Sequence, residues 1–369
     1  MQLIDWSKAF DRVDAKIAVE AFIANGVRPS LVPILMSFFQ HRTMIVKWHN
    51  SLSTPRELPG GCPQGSTFGL LGYSVSANDN ASHVSQDMKF KFVDDLSTLE
   101  KLNLILAGLS SYNFKKHVAS DIGINQLYLP NENASSQQNL ESIQSWTLRN
   151  KSKLNVDKSK VMIFNYTEDW QFSTRLYLEN TLLEIVNETK LLGTILTSDL
   201  KWHKNSEMLI KKAYERMQIL HKLAPFNVKR QDLKELYFLY VRSILEYNCQ
   251  VWHYSLTEEE TLNIERVQKV ACRIILKSEY ENYSHALKIL QLDTLESRRS
   301  VLCLKFAKNA LKHPKASDMF PVNNPHGYET RNAEKFHVQP AKTSRLKNSA
   351  IPQMQRALNE DFVKRNKKC

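Results

Sequence analysis

Two adjacent aspartates after a short alternating segment constrain the fold more than any other feature of this chain. The segment Lys89–Val93 alternates polar and apolar side chains, as a β-strand does, and Asp94 and Asp95 follow where a hairpin would turn. Adjacent carboxylates repel each other and attract cations, so a folded chain keeps them together at a cost unless a metal ion compensates. Taken alone, the pair also fits an ordinary turn or helix cap.

A third carboxylate, Asp5, is supplied by a separate upstream segment, Asp5–Asp11. Together with Asp94 and Asp95 it would complete an oxygen-rich site for paired divalent ions. The three aspartates are therefore the candidate catalytic residues and metal ligands. Two Mg²⁺ ions are the natural cofactor, and Mn²⁺ is a possible substitute.

Three segments stand in a fixed order: Asp5–Asp11, Gly61–Ser66 and Phe92–Asp95. In this order they resemble motifs A, B and C of reverse transcriptases, and the non-LTR (LINE-type) retrotransposon branch fits best. The resemblance implies an RNA-directed DNA polymerase that transfers nucleotides to a primer 3′-OH by two-metal chemistry. It also implies an RNA template, a DNA primer or duplex and deoxynucleoside triphosphates as partners.

The same resemblance implies roles for residues near these aspartates. Phe10 would lie against the incoming sugar and exclude a 2′-hydroxyl, although it also fits a core position of the amphipathic helix that the apolar spacing predicts from about Ser7 to Asn25. The segment Gly61–Ser66, called here the Gly-Pro loop, has a rigid proline between flexible glycines. Because the glycines lack side chains, its backbone can approach a base pair closely. The nucleotide- and template-binding residues implied are Phe10, Gly61, Pro63, Gln64, Gly65 and Ser66.

Two further segments resemble motifs D and E. In Leu154–Lys160, Lys158 would neutralise the triphosphate or protonate the leaving pyrophosphate, which makes it a catalytic candidate. A solvated lysine before a strand is an equally good interpretation. In Lys190–Gly193, Leu192 and Gly193 would form the primer grip.

The hydrophobic period changes to that of helices at His203, with helices predicted over 206–224, 230–252, 258–277 and 296–312. Thr257 and Glu260 have the spacing of a capping box for the third of these helices, and Asp293 or Thr294 would cap the fourth. We therefore predict an α+β fold with three parts. Residues 1–200 would form a palm with an antiparallel sheet and helices, 201–320 an all-helical thumb-like domain, and 321–369 a basic, weakly ordered tail. The candidates for contacts with nucleic-acid phosphates, or else for a solvated helix face, are Lys204, Lys211, Lys212 and Arg216.

The composition agrees with a nucleic-acid partner. The chain has 369 residues, a formal net charge of +12 and 42% apolar residues, and its five cysteines show no zinc-ligand spacing. No segment approaches the ~18 apolar residues of a membrane span. We expect an intracellular protein without membrane partners, located in the nucleus by analogy with the family.

The chain departs from the family pattern in two places. It starts four residues before Asp5, where the family has a fingers domain, so we expect a copy truncated at its N-terminus. Gly69 and Gly72 should also weaken the helix expected after Ser66. These departures leave activity open, and the alternatives are a catalytically inactive nucleic-acid-binding remnant or an unstable product without function.

Overall fold

The structure, a computed structural model, forms two compact units, Met1–Asn187 and Glu188–Cys369. The first unit combines short strands with helices and the second is mainly helical. The predicted α+β class is therefore confirmed, whereas the palm and thumb assignments remain predictions. The structure describes residues 1–58, 60–63, 65–79, 88–100, 126–128, 133–164, 171–173, 175–226, 228–322 and 335–366.

The described strands of the first unit are short: β1 Gln2–Ile4, β2 Thr43–Met44, β3 Lys47–Trp48, β4 Ser51–Leu52, β5 Arg56–Glu57, β6 Lys89–Phe92, β7 Asp95–Thr98, β8 Gln126–Tyr128, β9 Lys160–Val161, β10 Gln171–Ser173, β11 Tyr177–Leu178, β12 Thr181–Leu182 and β13 Glu184–Ile185. Five of them form the central sheet of the unit, in the order β13-β9-β1-β7-β6. In this sheet β1 pairs antiparallel with both β7 and β9, β6 pairs antiparallel with β7, and β13 pairs parallel with β9.

In the described part of the first unit, the α-helices are α1 Ala15–Ala24, α2 Val32–Phe39, α3 Thr67–Ser76 and α4 Asn133–Arg149. A helix predicted from Ser7 begins only at Ala15, because Asp14 caps it by accepting hydrogen bonds from two backbone N–H groups. A short 3₁₀ turn, Phe10–Arg12, precedes this cap. The chain between Asp5 and α1 is therefore free to form part of the candidate site.

Buried polar side chains connect α4 to the central strands. Asn139 Nδ2 donates hydrogen bonds to Gln2 Oε1 at 2.6 Å and to Thr98 Oγ1 at 3.1 Å, and Thr98 Oγ1 donates to Gln2 Oε1 at 3.0 Å. All three residues are buried, and Leu140 and Ile143 of the same helix lie in the apolar core. Because each buried amide or hydroxyl needs a partner, this network fixes β1 and β7 against one helix.

The second unit begins with a hairpin and continues as helices. Its strands are β14 Glu188–Leu191 and β15 Thr194–Thr197. Its helices are α5 His203–Leu223, α6 Arg230–Leu236, α7 Ser243–Glu246, α8 Cys249–Trp252, α9 Glu258–Leu276, α10 Tyr283–Leu290, α11 Leu295–Ala310, α12 Pro314–Ser317, α13 Ser344–Lys347 and α14 Ala350–Asn366. The capping box predicted at Thr257 and Glu260 is present, and Thr294 caps α11.

The helix predicted over 230–252 is interrupted, so that prediction was wrong in this detail. A π-helical turn, Tyr237–Arg242, joins α6 to α7, and the chain then leaves the helix at Tyr247 and Asn248 before α8. Asn248 has a φ of 51°, a left-handed conformation that asparagine tolerates better than most residues. The apolar period continues through the break, which is why the sequence did not show it.

The segment 321–369, which we predicted to be a weakly ordered basic tail, contains helix α14 in its described part. This helix packs on the helical core through Met354 and Leu358, which lie one helical turn apart and are buried. Phe336 belongs to the same core. This apolar pair gives the helix a face to bury.

Within the described residues, no helix has both the length and the apolar character needed to cross a membrane.

Candidate functional site

The three candidate aspartates lie at one end of the two central strands. β1 ends at Ile4, which pairs with Leu96 of β7, so Asp5 follows β1 on the side where β7 begins with Asp95. The hairpin between β6 and β7 closes at the pair Phe92 and Asp95, with Asp94 in its turn. Residues far apart in the sequence thus meet because antiparallel pairing places the end of one strand beside the start of its neighbour.

The electrostatics of this strand end reflect crowded negative charge. The pKa of Asp95 is raised, first by burial and then by Asp94 and Asp5. The pKa of the Tyr73 phenol on α3 is also raised, mainly by burial and further by the same three carboxylates. The three carboxylates and Tyr73 therefore lie within electrostatic range of each other, an arrangement that a bound cation would relieve.

The donor atoms at this strand end bear on whether it could hold a metal ion. In the part of the chain that the structure describes, no group of three or more His, Cys, Asp or Glu side chains is arranged so that it could hold a metal ion. Carboxylate oxygens are nevertheless the ligand type that Mg²⁺ prefers, and Asp5, Asp94 and Asp95 supply it at a single strand end. The chemistry of the donors thus fits the ion.

Phe10 lies beside Tyr73 near the carboxylates. The two ring centroids are 4.6 Å apart, Tyr73 is buried and Phe10 is half-buried. Phe10 belongs to the 3₁₀ turn and not to the amphipathic helix that was the alternative interpretation. Sequence reasoning did not select Tyr73, because this residue lies in the segment that departs from the family pattern.

The backbone of the Gly-Pro loop lies directly on the turn that carries Phe10. Gly61 N–H donates to the Val13 carbonyl oxygen at 2.8 Å, and Cys62 N–H donates to the Phe10 carbonyl oxygen at 2.7 Å. Gly61 has a φ of 93°, and a Cβ built on it would lie 2.9 Å from the Asp11 backbone. Only glycine combines this backbone angle with so close an approach.

The rest of the loop leads into α3. Ser66 caps this helix: its Oγ accepts a hydrogen bond from the Gly69 N–H at 2.9 Å and donates one to the Pro63 carbonyl oxygen at 2.9 Å. Gly65 has a φ of 85°. Gln64 lies outside the described residues. Pro63 and Ser66 are thus joined to each other and to α3 by short local contacts.

Arg42 is a second anchor of this loop that the sequence did not reveal. Its Nη2 donates hydrogen bonds to the carbonyl oxygens of Gly60 at 2.7 Å and Gly61 at 2.5 Å. A guanidinium carries several donors in a rigid plane, so one side chain can hold two successive carbonyl groups. An arginine nineteen residues before Gly61 carries no sequence signal of this role.

The two glycines that we expected to weaken the helix after Ser66 have another role. α3 forms over Thr67–Ser76, and a Cβ on Gly69 would lie 2.2 Å from the Pro63 carbonyl oxygen. A Cβ on Gly72 would lie 2.8 Å from the Phe39 ring. The glycines are therefore positions of close packing, and their cost in helix propensity is offset by tertiary contacts.

Lys158 lies in a turn that contacts the Asp5 backbone. Asn155 N–H donates to the Asp5 carbonyl oxygen at 2.9 Å, and Asp5 N–H donates to Ser159 Oγ at 3.2 Å. Lys158 itself is exposed in this turn. The segment that resembles motif D thus adjoins Asp5, which places a lysine near the candidate site without fixing its ammonium group.

The hairpin that resembles motif E is held by the break between α7 and α8. Tyr247 OH donates to the Leu192 carbonyl oxygen at 2.8 Å, and Asn248 Nδ2 donates to Thr194 Oγ1 at 2.9 Å. Gly193 has a φ of 83°, and a Cβ there would lie 3.1 Å from the Tyr247 ring. The left-handed backbone at Asn248 therefore directs the side chains of Tyr247 and Asn248 towards the hairpin.

The four basic candidates lie on α5. Lys204, Lys211, Lys212 and Arg216 are all exposed, while Leu209, Ala213, Met217 and Leu220 of the same helix are buried. Lys204 forms an ion pair with Glu188 of the hairpin. The helix thus offers its basic side chains to solvent, as either interpretation of them requires.

Comparisons with known proteins agree with the motifs. No family model matches the chain. The chain is 25% identical over 326 residues to the probable RNA-directed DNA polymerase from transposon BS of Drosophila melanogaster, an alignment covering 84% of this chain and 32% of that protein. It is 23% identical over 288 residues to the probable RNA-directed DNA polymerase from transposon X-element of the same organism, covering 75% of this chain and 28% of that protein.

These similarities confirm the predicted resemblance to transposon reverse transcriptases of the non-LTR (LINE-type) branch. The chain spans about a third of the length of the curated relatives it matches.

Proposed function

We propose that this chain is the palm and thumb region of a non-LTR reverse transcriptase, and that it catalyses RNA-directed DNA synthesis on a primer 3′-OH. The observation that carries the proposal is the β1–β7 register, which sets Asp5 beside Asp95 and the Asp94 turn. Phosphoryl transfer requires mainly positioning and charge stabilisation, and carboxylates that hold cations supply both. The names of the two relatives support the same activity.

Asp5, Asp94 and Asp95 would hold two Mg²⁺ ions, because the crowded carboxylates are a suitable set of hard oxygen ligands. When bound, the ions would activate the attacking 3′ oxygen and stabilise the leaving pyrophosphate. Phe10 would orient the deoxyribose, and the loop from Gly61 to Ser66 would contact the template and the nucleotide. Lys158 would stand near the triphosphate.

The second unit would hold the product. The hairpin at Leu192 and Gly193 would contact the primer backbone, with Tyr247 keeping its turn in shape. Lys204, Lys211, Lys212 and Arg216 would contact duplex phosphates without specifying sequence. The partners proposed are therefore an RNA template, a DNA primer and deoxynucleoside triphosphates.

Primer extension tests the proposal directly. The purified chain would be incubated with a DNA primer annealed to an RNA template, deoxynucleoside triphosphates and Mg²⁺, and a parallel reaction would contain a chelator in excess of Mg²⁺. We expect extension that requires the divalent ion. A folded chain that does not extend the primer would reject an autonomous polymerase.

A nucleic-acid-binding protein without catalysis is the second candidate, favoured by the exposed basic side chains of α5. It predicts salt-dependent binding of RNA–DNA duplex with no extension. Fluorescence anisotropy of a labelled duplex, measured beside the extension reaction, separates the two functions.

Selection of the sugar gives a sharper test of Phe10. Replacing it by valine (Phe10→Val) is expected to raise incorporation of ribonucleotides relative to deoxynucleotides by about 10-fold to 200-fold, because a shape change of this size in a pocket contributes about 1–3 kcal/mol. The measurement is the ratio of kcat/KM for the two triphosphates. Phe10→Tyr, which keeps the ring, is the matched control and should retain wild-type selection. An unchanged ratio in a folded Phe10→Val variant would leave Phe10 only its packing on Tyr73.

A further inference from the structure

Ser159 places a buried hydroxyl beside the backbone of Asp5. The residue is 1% exposed. Its Oγ accepts a hydrogen bond from the Asp5 N–H at 3.2 Å and donates one to the Asn155 carbonyl oxygen at 2.9 Å. The hydroxyl therefore connects the peptide of Asp5 to the turn that precedes β9.

The strand register explains why a side chain is needed at this point. Pairing between β1 and β9 reaches only as far as Leu3 and Lys160, so the Asp5 N–H lies beyond the last paired residues of this ladder. The Ser159 hydroxyl supplies the acceptor in place of a further strand residue. From the opposite direction, Asn155 N–H donates to the Asp5 carbonyl oxygen at 2.9 Å. Both polar groups of the Asp5 backbone are thus held by one turn.

The turn has further bonds that do not need the hydroxyl. Ser159 N–H donates to the carbonyl oxygens of Asn155 at 3.0 Å and Val156 at 3.1 Å. The adjacent Leu154 is buried and forms a β-bridge with Trp6. Loss of the hydroxyl alone would therefore leave the turn in place and release chiefly the N–H of Asp5.

We propose that Ser159 is a positioning residue, whose hydroxyl fixes the Asp5 backbone so that the Asp5 carboxylate is presented to a divalent cation together with Asp94 and Asp95. This assignment rests on the proposed metal-binding function of Asp5. Ser159 would act through Asp5 and would itself touch no substrate. Partners behind a ligand of this kind set its orientation, and their loss typically lowers metal affinity or activity 10-fold to 100-fold. The sequence placed Ser159 in a segment that resembles motif D but gave it no role.

The test compares the wild type with Ser159→Ala, Ser159→Thr and Ser136→Ala. Threonine keeps the hydroxyl. Ser136 is a matched control, because it is a buried serine of the same unit whose hydroxyl bonds Glu100 and not Asp5. Mg²⁺ alone is titrated while the melting temperature is followed, since a ligand that binds only the folded state raises it. Primer extension is then measured as a function of Mg²⁺ and of nucleotide.

We expect Ser159→Ala to weaken the apparent Mg²⁺ affinity roughly 10-fold to 100-fold, with the KM for nucleotide unchanged at saturating Mg²⁺. Ser159→Thr should retain Mg²⁺ affinity within about 3-fold of wild type, because it keeps the hydroxyl. Ser136→Ala should have the wild-type Mg²⁺ dependence even if it is less stable.

Wild-type Mg²⁺ affinity in a folded Ser159→Ala variant would overturn the role of Ser159 while the proposed function stands. An equal loss of affinity in Ser136→Ala would overturn it as well, since the effect would then be one of general stability. A wild type whose melting temperature does not rise with Mg²⁺, or a rise that persists when Asp94 and Asp95 are both replaced by asparagine, would instead remove the proposed metal site, and the role of Ser159 with it.

Discussion

Replacing Asp94 and Asp95 together by asparagine is expected to lower primer extension by about 10³-fold or more, because bound metal ions contribute several kcal/mol and each 1.36 kcal/mol is a factor of ten in rate. Asparagine has nearly the same size as aspartate but lacks the charge that holds a cation. The same double variant should lose the rise in melting temperature on addition of Mg²⁺. Both quantities are measured on the purified chain.

In the absence of metal, the double variant is expected to differ from the wild type in the opposite direction, because its stability should not fall. The folded-state pKa of Asp95 is raised by burial, Asp94 and Asp5, so the ionised carboxylate destabilises the folded state at neutral pH. The double variant should therefore melt at the same or a higher temperature than wild type in a chelator. Glu20→Gln is the matched control, an exposed carboxylate of the same unit, and should leave extension unchanged. Equal extension by wild type and double variant would refute the carboxylate site.

Replacing Glu265 by alanine should have the largest effect on stability, with a loss of about 3 kcal/mol in the free energy of unfolding. Glu265 on α9 is 8% exposed, and its two carboxylate oxygens accept hydrogen bonds from the Leu295 N–H at 3.2 and 3.0 Å. Tyr283 OH donates to the same carboxylate. Truncation leaves the buried Leu295 N–H at the start of α11 and the half-buried Tyr283 hydroxyl without their acceptor, and such groups are costly to leave unpaired.

The melting temperature of the chain measures this loss, which corresponds to roughly 10 °C for a unit of this size. Glu259→Ala is the matched control, because Glu259 is an exposed glutamate of the same helix. It should change stability by no more than about 0.5 kcal/mol. A Glu265→Ala variant as stable as this control would show that other groups accept the hydrogen bond from the Leu295 N–H at the start of α11.

Glu265 also illustrates what the helical period does and does not contain. Ile264 and Val267, which are three residues apart, lie on the buried face of α9. Glu265 and Gln268 are also buried, and Gln268 Nε2 donates to the Asp293 carbonyl oxygen at 2.9 Å. Polar residues within an apolar period normally indicate the solvent side, so the period alone does not predict a buried polar network.

The sequence by itself determined the α+β class, the order of the polymerase-like motifs and the local signals that begin helices. Each of these depends on residues that are close in the chain. Thr257 and Glu260 form a capping box three residues apart, and Asp94 and Asp95 are adjacent. Local patterns of this kind can be recognised from the sequence before the fold is known.

Only the tertiary structure decided which distant groups meet. Ser159 bonds the backbone of Asp5 across 154 residues, and Tyr247 bonds Leu192 across 55 residues. Helix propensity alone makes Gly69 a weak point of its helix, but a Cβ there would lie 2.2 Å from the Pro63 carbonyl oxygen, so no side chain fits. A residue type states which bonds it can make, and strand register and packing then decide the partner.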